Sequence, residues 1–171
     1  MSEQDFIAMY DSYADAIYRY CYFRVFDKEQ AQDLVQETFI RIWKCLQNGQ
    51  KIEYGKTFAF TIAHNLLIDS YRKKKSLSLD SLVEEGFSPV DKSEASAETK
   101  AEINEVLQHI DKLDEKYSQV LILRFVEDLG PKDIAQIIGE TENNISVRIN
   151  RGLAQLREIV LSGNESSLAN Q

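Results

Sequence analysis

The sequence predicts an all-α protein of two small helical domains joined by a flexible linker, the second domain containing a helix-turn-helix. Three observations carry that expectation. Glycine and proline are scarce, 7 and 2 in 171 residues, while the abundant Leu, Ile, Ala, Glu, Gln and Lys include the strongest helix formers. Apolar side chains recur three or four apart through most of the chain, the period of one helix face. The longest lapse covers residues 76–95, "SLSLDSLVEEGFSPVDKSEA", where Ser, Gly, Pro and acid gather as they do in linkers.

Taken in order, Phe6, Tyr10, Tyr13, Ile17 and Tyr20 mark the apolar face of a first helix. "DKEQ" (Asp27 to Gln30) fits a capping box, with Asp27 as N-cap and Gln30 reaching back to it. The second helix then buries Ala31, Leu34, Val35, Phe39, Ile42, Trp43 and Leu46. "QNGQKIEYGK" (Gln47 to Lys56) breaks the period and predicts a loop. Phe58, Ile62, Leu66 and Leu67 resume it on a third helix, ending in "YRKKK". These elements make a first domain over residues 1–75, followed by the acidic linker. Helical pattern returns near Ser96 and again after Asp114, a suitable N-cap for "EKYSQVLILRFV". Two shorter helices are expected near 131–138 and 142–160, completing a second domain over 96–162. The polar end, "SGNESSLANQ", predicts a disordered tail over 163–171.

Composition excludes several function classes. No apolar stretch approaches the ~20 residues a membrane helix needs, "VLIL" being stopped at Arg124, so no membrane insertion is expected. The acidic "MSEQDFIAMYDSY" is unlike a signal peptide, and Cys21 and Cys45 form neither a metal cluster nor a disulfide scaffold. A cytoplasmic protein without cofactor or metal is therefore expected. His64 and His109 stand alone in helical pattern, and no nucleophile has a base near it in sequence, so an enzyme is not expected. The net charge of −8 is unevenly spread. Residues 56–75 hold 5 basic and 1 acidic side chains, net +4, and residues 76–102 hold 2 and 7, net −5. One basic block thus precedes an acidic linker, and phosphate contact depends on such local cations.

"KDIAQIIG" places Ile134, Ala135 and Ile138 on one face, with Gly139 fit to end the helix in a left-handed conformation. Thr141 can cap the next helix, whose buried side is expected to be Ile145, Ile149, Leu153 and Leu156. Its outward residues are then Asn143, Asn144, Ser146, Val147, Asn150 and Arg151. Asn can bond an adenine edge at two points, Val can meet a thymine methyl, and Arg can reach guanine or phosphate. Spacing alone leaves two readings open: a DNA reader, or an αα-hairpin whose polar face sits in water.

"DLVQETFIRIWK" (Asp33 to Lys44), "FTIAHNLLIDSYRKKK" (Phe60 to Lys75) and "LDEKYSQVLILRFVEDLGPKDIAQIIGETENNISVRINRGLAQLRE" (Leu113 to Glu158) occur in this order. The ordered set resembles the extracytoplasmic-function (ECF) group of bacterial sigma factors. The resemblance implies that residues 1–75 are a region 2 domain, which binds core RNA polymerase and opens the −10 element. It implies that residues 96–162 are a region 4 domain, which reads the −35 element of promoter DNA. Asp33, Gln36, Glu37 and Arg41, opposite the apolar stripe, fall on the polymerase-binding face. The loop falls where the family captures an unstacked −10 base; Lys51 and Tyr54 suit that chemistry, with Lys56, Phe58, Thr61 and Asn65 following. Arg72, Lys73, Lys74 and Lys75 would hold phosphates. Asn143, Asn144, Ser146, Val147, Arg148, Asn150 and Arg151 fall on the −35 helix.

Two departures stand out. Many relatives carry a basic residue where Ser146 stands, and others where Gly152 and Leu153 stand. Residues 142–160 hold three Arg and two Glu, few cations for a phosphate-binding helix, so tethering by polymerase is expected to raise the effective concentration. The resemblance also implies a restraining anti-sigma factor. The rival is a stand-alone helix-turn-helix regulator, which would dimerise and bind duplex DNA without polymerase.

Overall fold

The computed structural model describes residues 3–77 and 108–168, with side chains described for 3–73 and 108–162. Its regular elements are helices α1 (Glu3–Val25), α2 (Lys28–Gln47), α3 (Gly55–Leu77), α4 (Glu115–Leu121), α5 (Pro131–Ile138) and α6 (Glu142–Leu168). One π-helical turn, Ile122–Val126, continues α4. The chain divides into two compact units. The first is built on α1 to α3; the second holds α4, the π turn and α6, with α5 leading into α6. Residues 78–107 lie outside the described residues, and with them most of the expected linker and the helical return near Ser96. Among the described residues no helix is long and apolar enough to cross a membrane.

In the first unit the three helices pack against one another around Ile17, Tyr20, Phe39, Ile42, Phe60, Ala63 and Leu67, all at most 3% exposed. Burying one large apolar side chain contributes ~1.5–3 kcal/mol, so this layer dominates the unit's stability. Phe60 was not on the expected stripe of α3. Leu66 and Leu67 are buried as expected, but Phe58 and Ile62 are only half-buried, and Phe60 sits edge-on to Tyr20 at 5.5 Å instead. Tyr20 OH shares a 3.1 Å hydrogen bond with His64 Nδ1. His64 is a buried structural residue, its pKa lowered to about 4 by burial and then by the Arg24 charge. Asp27 caps α2 as expected, accepting from the Gln30 amide at 2.9 Å. The Gln30 side chain also donates to Ser70 Oγ at 2.6 Å, tying the start of α2 to α3.

In the second unit α4 packs on α6, and Gly152 sets how closely. A Cβ at Gly152 would meet Leu121 and Tyr117 of α4 at 3.3 Å. Leu153, expected on the buried side, is 40% exposed, while Ile145 and Ile149 are buried. The helix therefore presents the face centred on Gly152, which carries no hydrophobic signal, and turns Leu153 outward. The i to i−4 bonding of an ordinary helix fails after Leu121, where the Glu127 amide donates to Ile122 carbonyl in the i to i−5 pattern. Asp114 occupies the N-cap of α4 without a side-chain capping bond. Helix α6 continues to Leu168, past the expected boundary at 162, so most of the segment expected as a disordered tail is helical. Ser and Asn lower helix propensity by tenths of a kcal/mol each and the one Gly in this stretch by ~1 kcal/mol, too little to stop an established helix.

Candidate functional site

The exposed face of α2 is the first candidate surface. Asp33 and Gln36 are exposed, and Glu37 pairs with Arg41 one turn on, Oε1 to Nε at 3.0 Å. Both side chains are close to half exposed, so the pair contributes only ~0.3–0.5 kcal/mol and is easily given up to a partner. The core stripe on the opposite side of the helix fixes which residues face out.

The second surface is the loop between α2 and α3 with the helix that follows. The loop is shorter than expected, since Gln47 closes α2 and Lys56 already lies in α3. Gly49 takes a left-handed φ of 78° that turns the chain away from α2. Lys51 is exposed, and Tyr54 is 69% exposed, an unusual placement for an aromatic ring. The Phe58 amide donates to Tyr54 carbonyl at 2.9 Å, which fixes the ring's backbone to the first turn of α3. Phe58, Thr61 and Asn65 follow at positions i, i+3 and i+7, one face of that helix. Phe58 and Thr61 are half-buried and Asn65 is exposed; Thr61 Oγ1 donates back to Thr57 carbonyl at 2.8 Å. Further along, Arg72 and Lys73 are exposed, and Arg72 donates to Asp69 Oδ1 at 2.5 Å. Asp69 was not among the expected residues; it balances one of the four cations. The side chains of Lys74 and Lys75 lie outside the described residues.

The third surface is the helix-turn-helix. Gly139 adopts φ 79°, as the end of α5 requires, and Thr141 Oγ1 accepts from the Asn144 amide at 3.2 Å as the cap of α6. Asn143, Asn144, Val147, Asn150 and Arg151 are exposed, and Ser146 and Arg148 are half-buried. Ser146 donates to Glu142 carbonyl at 3.0 Å, so its hydroxyl is turned along its own helix. Arg151 makes no ion pair among the described residues. Arg148 does: its Nη2 reaches Glu140 Oε1 at 2.5 Å, and Asn144 Nδ2 donates to Glu140 Oε2 at 3.1 Å. These two bonds and the Arg148 charge hold the Glu140 carboxyl below the usual carboxylate range. Glu140 lies before the helix cap and was not anticipated, although it stands four and eight residues ahead of its two partners. The four-residue spacing to Asn144 was a usable signal.

A helical unit with an exposed aromatic loop and a cationic helix end, paired with a separate helix-turn-helix unit, defines a two-part helix-turn-helix protein. A family model described as Sigma-70 region 2 matches residues 9–77, and one described as Sigma-70, region 4 matches residues 103–156. The chain is 32% identical to ECF RNA polymerase sigma factor SigW of Bacillus subtilis (strain 168), across 91% of this chain and 89% of that protein. It is 25% identical to ECF RNA polymerase sigma factor SigX of the same organism, across 91% and 84%. In fold it is similar to the sigma factor RpoE from Bartonella quintana, solved as a co-crystal with the anti-sigma factor NepR. That match has a TM-score of 0.78 at 21% identity and covers 92% of this chain and 97% of the other. The chain belongs to the ECF RNA polymerase sigma factor family.

Proposed function

We propose that this protein binds core RNA polymerase, directs it to specific promoters and helps melt the −10 element. The observation that carries the reading is the separation of surfaces: an exposed polar face on α2, an exposed aromatic loop, and a capped recognition helix in a second unit. Asp33, Gln36, Glu37 and Arg41 dock on polymerase. Lys51 and Tyr54, with Lys56, Phe58, Thr61 and Asn65 behind them, receive a base taken out of the −10 stack. Unstacking costs a few kcal/mol, and stacking on an aromatic ring returns ~1–3 kcal/mol per base. Arg72, Lys73, Lys74 and Lys75 hold the neighbouring phosphates, and Asn143, Asn144, Val147, Arg148, Asn150 and Arg151 read the −35 element, with Ser146 contributing least because its hydroxyl is already bonded.

The protein works in the cytoplasm, where the polymerase is, and an anti-sigma factor restrains it, as NepR partners RpoE in the similar structure. Transcription with purified core polymerase on a library of genomic fragments tests the reading. Transcripts from a few defined starts are expected, all dependent on the added protein. No transcript from any fragment, together with tight dimeric binding of the free protein to duplex DNA, would point to a stand-alone helix-turn-helix regulator instead.

A further inference from the structure

We propose that Glu140 is a positioning residue for promoter reading: its carboxylate sets the Asn144 side-chain amide to bond an adenine in the −35 element. This rests on the reading above and names the base that one of its residues selects.

The chemistry follows from what each group can donate. An ionised carboxylate only accepts hydrogen bonds, so whichever end of the Asn144 amide faces it must be the NH2 end. Glu140 Oε2 takes one of the two Nδ2 hydrogens at 3.1 Å. One N–H and the Oδ1 lone pairs are left, held in a known order on an exposed side chain in the first turn of α6. Adenine presents in the major groove an acceptor, N7, beside a donor, the N6 amino group, which is the complement of that pair. Without the carboxylate the amide would be free to rotate and present either order. The carboxylate is itself held from its other oxygen by Arg148 Nη2 at 2.5 Å, with both side chains about 30% exposed or less. Arg148 therefore anchors Glu140 through Nη2, and the other N–H groups of its guanidinium remain for DNA beside Arg151. Thr141 caps the same turn through the Asn144 backbone amide at 3.2 Å, so Asn144 is fixed at its main chain as well as its side chain.

The test uses the full chain bound to core polymerase and a promoter library randomised across the −35 element. The wild-type holoenzyme is expected to prefer adenine at one position by about 5–150-fold, the range of one good bidentate base contact. Asn144→Ala removes that preference. Glu140→Gln and Glu140→Ala reduce it by about tenfold or to parity, leave preferences at the other −35 positions unchanged, and have no further effect when combined with Asn144→Ala. A purely structural role for Glu140 would weaken all positions together. Helix content by circular dichroism verifies that each variant is folded, and the Gln variant keeps the side chain's size if the Ala variant is damaged. Adenine preference that survives in both Glu140 variants while vanishing in Asn144→Ala overturns the proposal, as does a wild type with no adenine preference. In either case promoter-specific transcripts from the wild type leave the function itself standing; their absence overturns the function as well.

Discussion

The loop proposed to take a −10 base and the helix proposed to read the −35 element are prepared in opposite ways. Tyr54 and Lys51 stand exposed on a loop of a few residues, while Asn144 and Arg148 are tied to a carboxylate at the mouth of a capped helix. A base drawn out of a melting duplex has no fixed approach, and an exposed ring can accept its face from several directions. An intact duplex offers a fixed pattern of donors and acceptors, and a preset amide meets it without further loss of side-chain entropy. The supports differ too. The loop's unit has a core of large rings around a buried imidazole, whereas α6 is seated by buried Ile145 and Ile149 and by the close approach of Gly152 to Leu121 and Tyr117.

That contrast can be broken from either side. Acid should break the first unit. The His64 pKa falls from 6.5 to about 4 on folding, because burial and then Arg24 disfavour the charged ring. An unfolded chain therefore binds a proton that the folded one refuses as pH drops from 6.5 toward 4. The stabilisation is complete above pH 6.5 and is lost through that window, up to about 3 kcal/mol. Chemical denaturation of wild type and His64→Gln at pH 7 and pH 4.5 measures it, the difference between the two being smaller in the variant. Equal losses in both would separate His64 from the acid response. A smaller effect should break the second unit. Gly152→Leu forces α6 from α4 and is expected to cost about 1–3 kcal/mol there, the range for overpacking. Thermal unfolding should show the α6 transition lowered, with the first unit's acid response unchanged.

Much of this was legible in the sequence where a single residue carries the signal. Asp27, Gly139 and Thr141 each act as a cap or stop at the position read from their chemistry. The stripe of α2 was legible because its other face is polar. The stripe of α3 was not: Phe58, Phe60, Ile62 and Leu66 are apolar on several sides, so periodicity could not choose Phe60 as the buried ring. Gly152 was missed because a side chain that is absent leaves no hydrophobic mark, and its contact with α4 turned Leu153 outward. Glu140 was missed because it precedes the helix and its task is set by two side chains downstream.

In the proposed function two separate surfaces do two different tasks, one opening DNA and the other reading it. Promoter DNA carrying a fluorescent base analogue at the −10 element, bound by holoenzyme, tests it most directly. Tyr54→Ala is expected to leave duplex binding within about threefold of wild type while reducing the opening signal by about 5–150-fold, the worth of one stacked base. Arg151→Ala is expected to weaken duplex binding first and to leave opening intact once the DNA is saturated. If both variants lose binding and opening in the same proportion, the two surfaces are one, and the account is wrong.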